Sequence, residues 1–171
     1  VAKNTSGGIY EGIGFTAHSA SPLGYCYMYN CTVADNGNDG FKCWSQNYDW
    51  GDVVPVAKNC LFTGNGGYGV VKWGSCPNAT LQNCLFNANP SGAYTDPGNG
   101  KITDLGGEKI GKDPKYVDTT NLNYRVAADS PAAAAGMDLS GTPCFVTNDI
   151  VNVSRPQGGA WDMGVYEDSG A

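Results

Sequence analysis

The stretch Asn59-Cys60-Leu61-Phe62-Thr63-Gly64-Asn65-Gly66-Gly67-Tyr68-Gly69 decides the fold, because its spacing recurs. Asn30-Cys31 leads to Asn36 and Gly40, and Asn83-Cys84 leads to Asn89 and Gly92. In all three copies the second asparagine stands six residues after the first. The glycine follows after ten residues in two copies and after nine in the third. Asn4 and Gly14 repeat the ten-residue spacing, so a weaker copy opens the chain, and the copies start 26, 29 and 24 residues apart. Such a period is the signature of a solenoid in which one repeat is one turn of the chain.

The residues between the asparagines say what kind of turn. Thr80-Leu81-Gln82-Asn83-Cys84-Leu85-Phe86 is short, rich in β-formers and bounded by Asn and Gly, so such segments read as strands rather than buried helices. Equal spacing from strand to bend lets each coil lie on the next, strand over strand, about 4.8 Å apart. Each residue type then meets its own kind above and below. An asparagine side chain offers both a donor and an acceptor. Asn36, Asn65 and Asn89 are therefore expected to form an inward ladder that satisfies buried bend backbone. Gly40 and Gly69 relieve crowding where the chain turns. Cys31, Cys60 and Cys84 fall in one column of small buried residues.

Composition agrees with an all-β chain and excludes several functions. The chain has 171 residues, 25 of them glycine, and only 15% are charged, which suits one turn-rich domain. The net charge of −6 argues against nucleic acid, which needs a basic surface. No apolar run reaches about 18 residues, so no membrane helix is predicted. Seven cysteines include no Cys-x-x-Cys pair, which gives zinc and redox motifs little support, while Cys43 and Cys76 could form a disulfide. Asn-x-Ser/Thr sequons at Asn4, Asn30, Asn78 and Asn152 fit a secreted glycoprotein.

Three segments are expected. Residues 1–94 form the coils, 95–112 a connector, and 113–171 a closing segment packed on the last coil. In that segment Ser130-Pro131 followed by Ala132–Ala135 and Gly136 predicts a short helix. The chain opens at Val1 almost on a repeat boundary, which suggests missing N-terminal coils or another copy of the chain at that end.

Two resemblances follow from quoted residues. Asp113-Pro114-Lys115-Tyr116-Val117-Asp118, Tyr124-Arg125-Val126, Arg155-Pro156-Gln157-Gly158-Gly159 and Asp162-Met163-Gly164-Val165-Tyr166-Glu167 resemble the closing segment of secreted right-handed parallel β-helix proteins. Asn36-Gly37-Asn38-Asp39-Gly40-Phe41-Lys42-Cys43-Trp44 and Gly66-Gly67-Tyr68-Gly69-Val70-Val71-Lys72-Trp73-Gly74 are similar to two adjacent coils of polysaccharide lyase family 9, the pectate lyases. That resemblance implies an extracellular right-handed parallel β-helix acting on acidic polysaccharide by β-elimination, with calcium on aspartates and a lysine as base. Asp39 matches a calcium aspartate. Lys42 stands where the family has the next aspartate, and Lys72 lies one residue beyond the family's lysine.

The residues themselves outline the same candidate site. β-Elimination removes the proton beside a uronate carboxylate, which a cation must neutralise while a deprotonated Lys or Arg takes the proton. Lys42 and Lys72 are candidate catalytic residues, and Asp39 and Asp35 candidate calcium ligands. Alternatively the aspartates are turn formers and the lysines solvated charges. Trp44 and Trp73 share an offset from Gly40 and Gly69, and with Tyr48 and Trp50 they could form a carbohydrate-stacking face, or the loop 45–55 could bury them. A second reading keeps the fold and drops catalysis: a structural or adhesive extracellular β-helix that binds glycans or self-assembles.

Overall fold

The computed structural model describes residue 3 and residues 13–16, 24–45, 53–74, 78–97, 101–157 and 159–168. Fourteen strands are defined among them and no helix. In chain order they are β1 (Ile13–Thr16), β2 (Gly24–Tyr29), β3 (Thr32–Ala34), β4 (Phe41–Ser45), β5 (Val53–Lys58), β6 (Leu61–Thr63), β7 (Tyr68–Gly74), β8 (Ala79–Gln82), β9 (Leu85–Asn87), β10 (Gly92–Thr95), β11 (Ile102–Asp104), β12 (Lys109–Ile110), β13 (Tyr116–Asp118) and β14 (Asn123–Val126).

Strands three places apart in sequence pair. The orders are β1-β4-β7-β10, β2-β5-β8-β11 and β3-β6-β9-β12, three four-stranded sheets, parallel throughout. The chain is therefore all-β, with parallel strands stacked in sheets, an arrangement compatible with a β-helix. Residues 102–104 and 109–110 supply β11 and β12, so the expected connector joins two of the sheets. Ile102, in register with buried Ala79, packs against the core and explains why that segment stays in the stack.

Between the sheets lies a core of Met28, Val33, Phe41, Phe62, Val70, Leu81 and Phe86. Phe62 and Phe86 stack at 5.3 Å between centroids, one coil above the other. The asparagine ladder is present, with Asn36 and Asn65 buried and Asn89 partly so. Asn36 Nδ2 donates to Asn65 Oδ1 at 2.9 Å, and Asn65 Nδ2 to Asn89 Oδ1 at 3.1 Å. The same amides donate to strand carbonyls, Asn65 to Val33 and Asn89 to Phe62, and the side-chain oxygens accept the bend N–H groups of Asn36 and Asn65. Gly69 has no room for a side chain: a Cβ there would lie 2.6 Å from the Ala93 carbonyl oxygen and 2.7 Å from Phe86.

The first asparagine of each repeat has a different task. Asn30, Asn59 and Asn83 all adopt left-handed φ, at 48°, 53° and 52°. Asparagine tolerates that region better than other non-glycine residues, so it suits the corner between two sheets. These corners form a ledge for the last third of the chain. Asn30 Nδ2 donates to the Asp162 carbonyl at 2.8 Å, Asn59 exchanges two bonds with the Met137 backbone, and Asn83 reaches the Ala135 carbonyl. Leu61 and Leu85 pack with Val126, Ala132 and Met163, and Tyr116 reaches Thr63. The segment from residue 113 thus runs along the flank of β3-β6-β9, where it was expected on the last coil. Within it, Arg155 and Glu167 form a buried pair at 2.8 Å.

The expected helix at Ala132–Ala135 is a series of turns. Ala134 has φ +48°, which ends any right-handed helix, and its N–H goes to Asp162 Oδ1 rather than to a carbonyl one turn back. Docking partners outweigh the weak preference of four alanines. Cys43 is buried in the core, and Cys76 lies outside the described residues.

Candidate functional site

The candidate lysines sit on neighbouring strands, and strand phase decides where they point. β4 and β7 pair Phe41 with Val70, Lys42 with Val71, Cys43 with Lys72 and Trp44 with Trp73. Phe41 and Val70 are buried in the core. Side chains alternate along a strand, so Cys43 and Lys72 point inward too, and Lys42 and Trp73 outward. Lys72 is fully buried, with Nζ donating to the Gly74 carbonyl at 3.4 Å. The two candidate catalytic lysines therefore point to opposite faces of the sheet. Bringing Lys72 beside Lys42 on the outer face would take a bulge in β7, and the β4–β7 register runs unbroken from Phe41 to Ser45.

Lys42 does meet an aromatic ring. Its Nζ lies 5.9 Å from the centroid of the Trp73 ring, and Trp73 is 49% exposed. The same Nζ lies 3.8 Å from Asp39 Oδ2. The backbone of Trp44 is in register with Trp73. The side chain of Trp44, and Tyr48 and Trp50 entirely, lie outside the described residues.

The two candidate calcium aspartates serve different neighbours. Asp39 is nearly buried, and its Oδ1 accepts the N–H of Tyr68 at 2.8 Å, tying the bend of one coil to the start of β7. Gly67 leaves space for that carboxylate, since a Cβ there would lie 2.3 Å from Oδ1. Asp35 has φ +53° and accepts the Tyr124 hydroxyl at 2.8 Å, so it binds the flanking segment. Among the described residues no group of three or more His, Cys, Asp or Glu side chains is placed to hold a metal ion.

Two features escaped the sequence reading. One is Tyr25, Tyr27 and Tyr29 on β2. Tyr25 and Tyr27 stack at 5.5 Å with rings 7° from parallel, and Tyr27 and Tyr29 lie 5.6 Å apart. The signal was the strict alternation Tyr-Cys-Tyr-Met-Tyr, which places all three rings on the outer face. The other is Glu108, which continues the Cys31-Cys60-Cys84 column into the last coil. It precedes Lys109, the partner of Leu85, and its Oε2 accepts the Cys84 N–H at 2.7 Å. Burial pushes its carboxyl up to about 7, helped by nearby Asp104 and opposed by the Cys84 bond. Within the column, the bond with the Cys60 thiol brings the Cys31 thiol down to about 7.

Comparison with protein-family models, with curated proteins and with solved structures finds no match to this chain.

Proposed function

We propose that this chain is a right-handed parallel β-helix of an extracellular protein that binds acidic polysaccharide without cleaving it. The binding face is the outer surface of β4 and β7. The observation that supports the reading is Lys42 held over the half-exposed ring of Trp73. An ammonium beside an exposed indole suits a uronate: the ring takes the apolar face of the sugar and the ammonium takes its carboxylate. Lys42 also lies beside the nearly buried Asp39 carboxylate, and its own side chain is 30% exposed, so a ligand carboxylate would approach the ammonium from the solvent side. Elimination would need a second basic group beside the same sugar, and Lys72 points into the core.

The test is calorimetric titration of the protein with hexagalacturonate, with and without calcium, beside an absorbance assay for unsaturated product. Binding that weakens at least about tenfold in Trp73→Ala, with no product, supports the reading. Absence of binding in the parent sinks it. Calcium-dependent release of unsaturated product restores the lyase reading in its place.

A further inference from the structure

We propose that the tyrosine ladder of β2 is a separate binding site for an uncharged polysaccharide. Tyr25 and Tyr27 are 57% and 49% exposed, while Cys26 packs against the core and Met28 is buried in it. The rings support one another as a staircase, and Tyr29 at its foot lies close to Cys144. Three side chains with few rotatable bonds, locked before any ligand arrives, lose little entropy on binding. Next to Cys144 stands Phe145, 69% exposed and at φ +52°. A bulky residue in that left-handed region is strained, and such strain gathers at functional surfaces.

The surroundings choose the ligand. Register places Val54 beside Tyr25, Val56 beside Tyr27 and Lys58 beside Tyr29, with Thr80 and Gln82 one strand further on. Of these side chains only Lys58 is charged, on a chain of net charge −6. The patch therefore has little electrostatic hold on a polyanion. A neutral pyranose offers what the patch matches, an apolar C–H face for the rings and hydroxyls for the Thr and Gln groups. The patch is also small. Two half-exposed tyrosines present roughly 200 Å² of ring surface, against about 800 Å² per partner in a stable protein interface. That favours a glycan over a second copy of the chain.

This site shares with the β4–β7 reading only the idea of carbohydrate recognition; the strands, the sheet and the ligand charge differ. The test titrates the parent, Tyr25→Ala/Tyr27→Ala, Tyr25→Phe/Tyr27→Phe and Trp73→Ala with cellohexaose, xylohexaose and hexagalacturonate. The expected result is that one neutral hexaose binds the parent, binds the double alanine variant at least about tenfold more weakly, and binds the double phenylalanine and Trp73→Ala variants within about threefold of the parent. Hexagalacturonate should bind the double alanine variant as it binds the parent, so loss of the β4–β7 reading leaves this test intact. The proposal is overturned if neither neutral hexaose binds the parent, or if the double alanine variant binds them equally well. It is also overturned if sedimentation shows a parent dimer that the double alanine substitution dissolves, since the patch is then a contact between copies.

Discussion

Asn65→Ala is the perturbation that probes the stack most sharply. Asn65 is fully buried and sits at the middle of the ladder. Its Oδ1 accepts the side-chain amide of Asn36 at 2.9 Å and the Asn36 backbone N–H at 3.3 Å. Its Nδ2 donates to the Val33 carbonyl and to Asn89 Oδ1, each at 3.1 Å. Alanine removes all four bonds. Asn89 Oδ1 keeps the Asn65 backbone N–H, 3.0 Å away, so it stays satisfied. Three groups lose a partner: the Asn36 amide, the Asn36 N–H and the Val33 carbonyl. At about 1 kcal/mol for each of the three buried bonds that nothing replaces, the loss is about 3 kcal/mol, a large share of the 5–15 kcal/mol that holds a typical domain. Urea unfolding followed by circular dichroism measures it, with the midpoint falling and the slope unchanged. Asn121→Ala at an exposed turn is the control, and should move stability by no more than about 0.5 kcal/mol. A loss below about 1 kcal/mol in Asn65→Ala would refute the ladder as the element that satisfies the bends.

Further outcomes follow from the same geometry. Gly69→Ala should destabilise by about 1–3 kcal/mol through overpacking against Ala93 and Phe86, whereas Gly141→Ala, with open space around it, should leave the thermal midpoint unchanged. Glu108 binds its proton more tightly folded than unfolded, because burial raises its carboxyl from 4.5 to about 7. The folded state therefore holds more protons between those values, and stability should fall as pH rises through that window. Glu108→Gln should flatten that part of the pH–stability curve, and an unchanged slope would refute the assignment. Cys31, partly exposed and with its thiol drawn down to about 7, should react with iodoacetamide near neutral pH well before buried Cys60, as mapped by peptide mass. Equal rates would contradict the column geometry.

The parts of the fold that depend on local spacing were legible in the residues. The six-residue interval from Asn30 to Asn36, Asn59 to Asn65 and Asn83 to Asn89 is one strand plus one bend, so the ladder followed from arithmetic. The parity of Lys72 was legible as a conflict, because it shares strand phase with Val70. In the structure plain alternation prevails and the lysine is buried. What could not be read depends on partners far away in the chain. The corner asparagines bind residues 78 and 132 positions downstream, which no local pattern announces. The same contacts turn the alanines near Ser130 away from the helix their composition suggests, since Ala134 is fixed by Asp162. Asp35 reads as a possible cation ligand until Tyr124, 89 residues on, is seen to occupy it.

The central claim about the site is that Lys42 meets ligand on the outer face while Lys72 serves the core. Its most direct measurement is a matched titration of Lys42→Ala and Lys72→Ala with hexagalacturonate, each corrected for its folded fraction, with thermal unfolding run in parallel. The account predicts that Lys42→Ala keeps its thermal midpoint and loses affinity by about tenfold, while Lys72→Ala lowers the midpoint and binds with parent affinity per folded molecule. A Lys72→Ala protein that folds like the parent and no longer binds would contradict it.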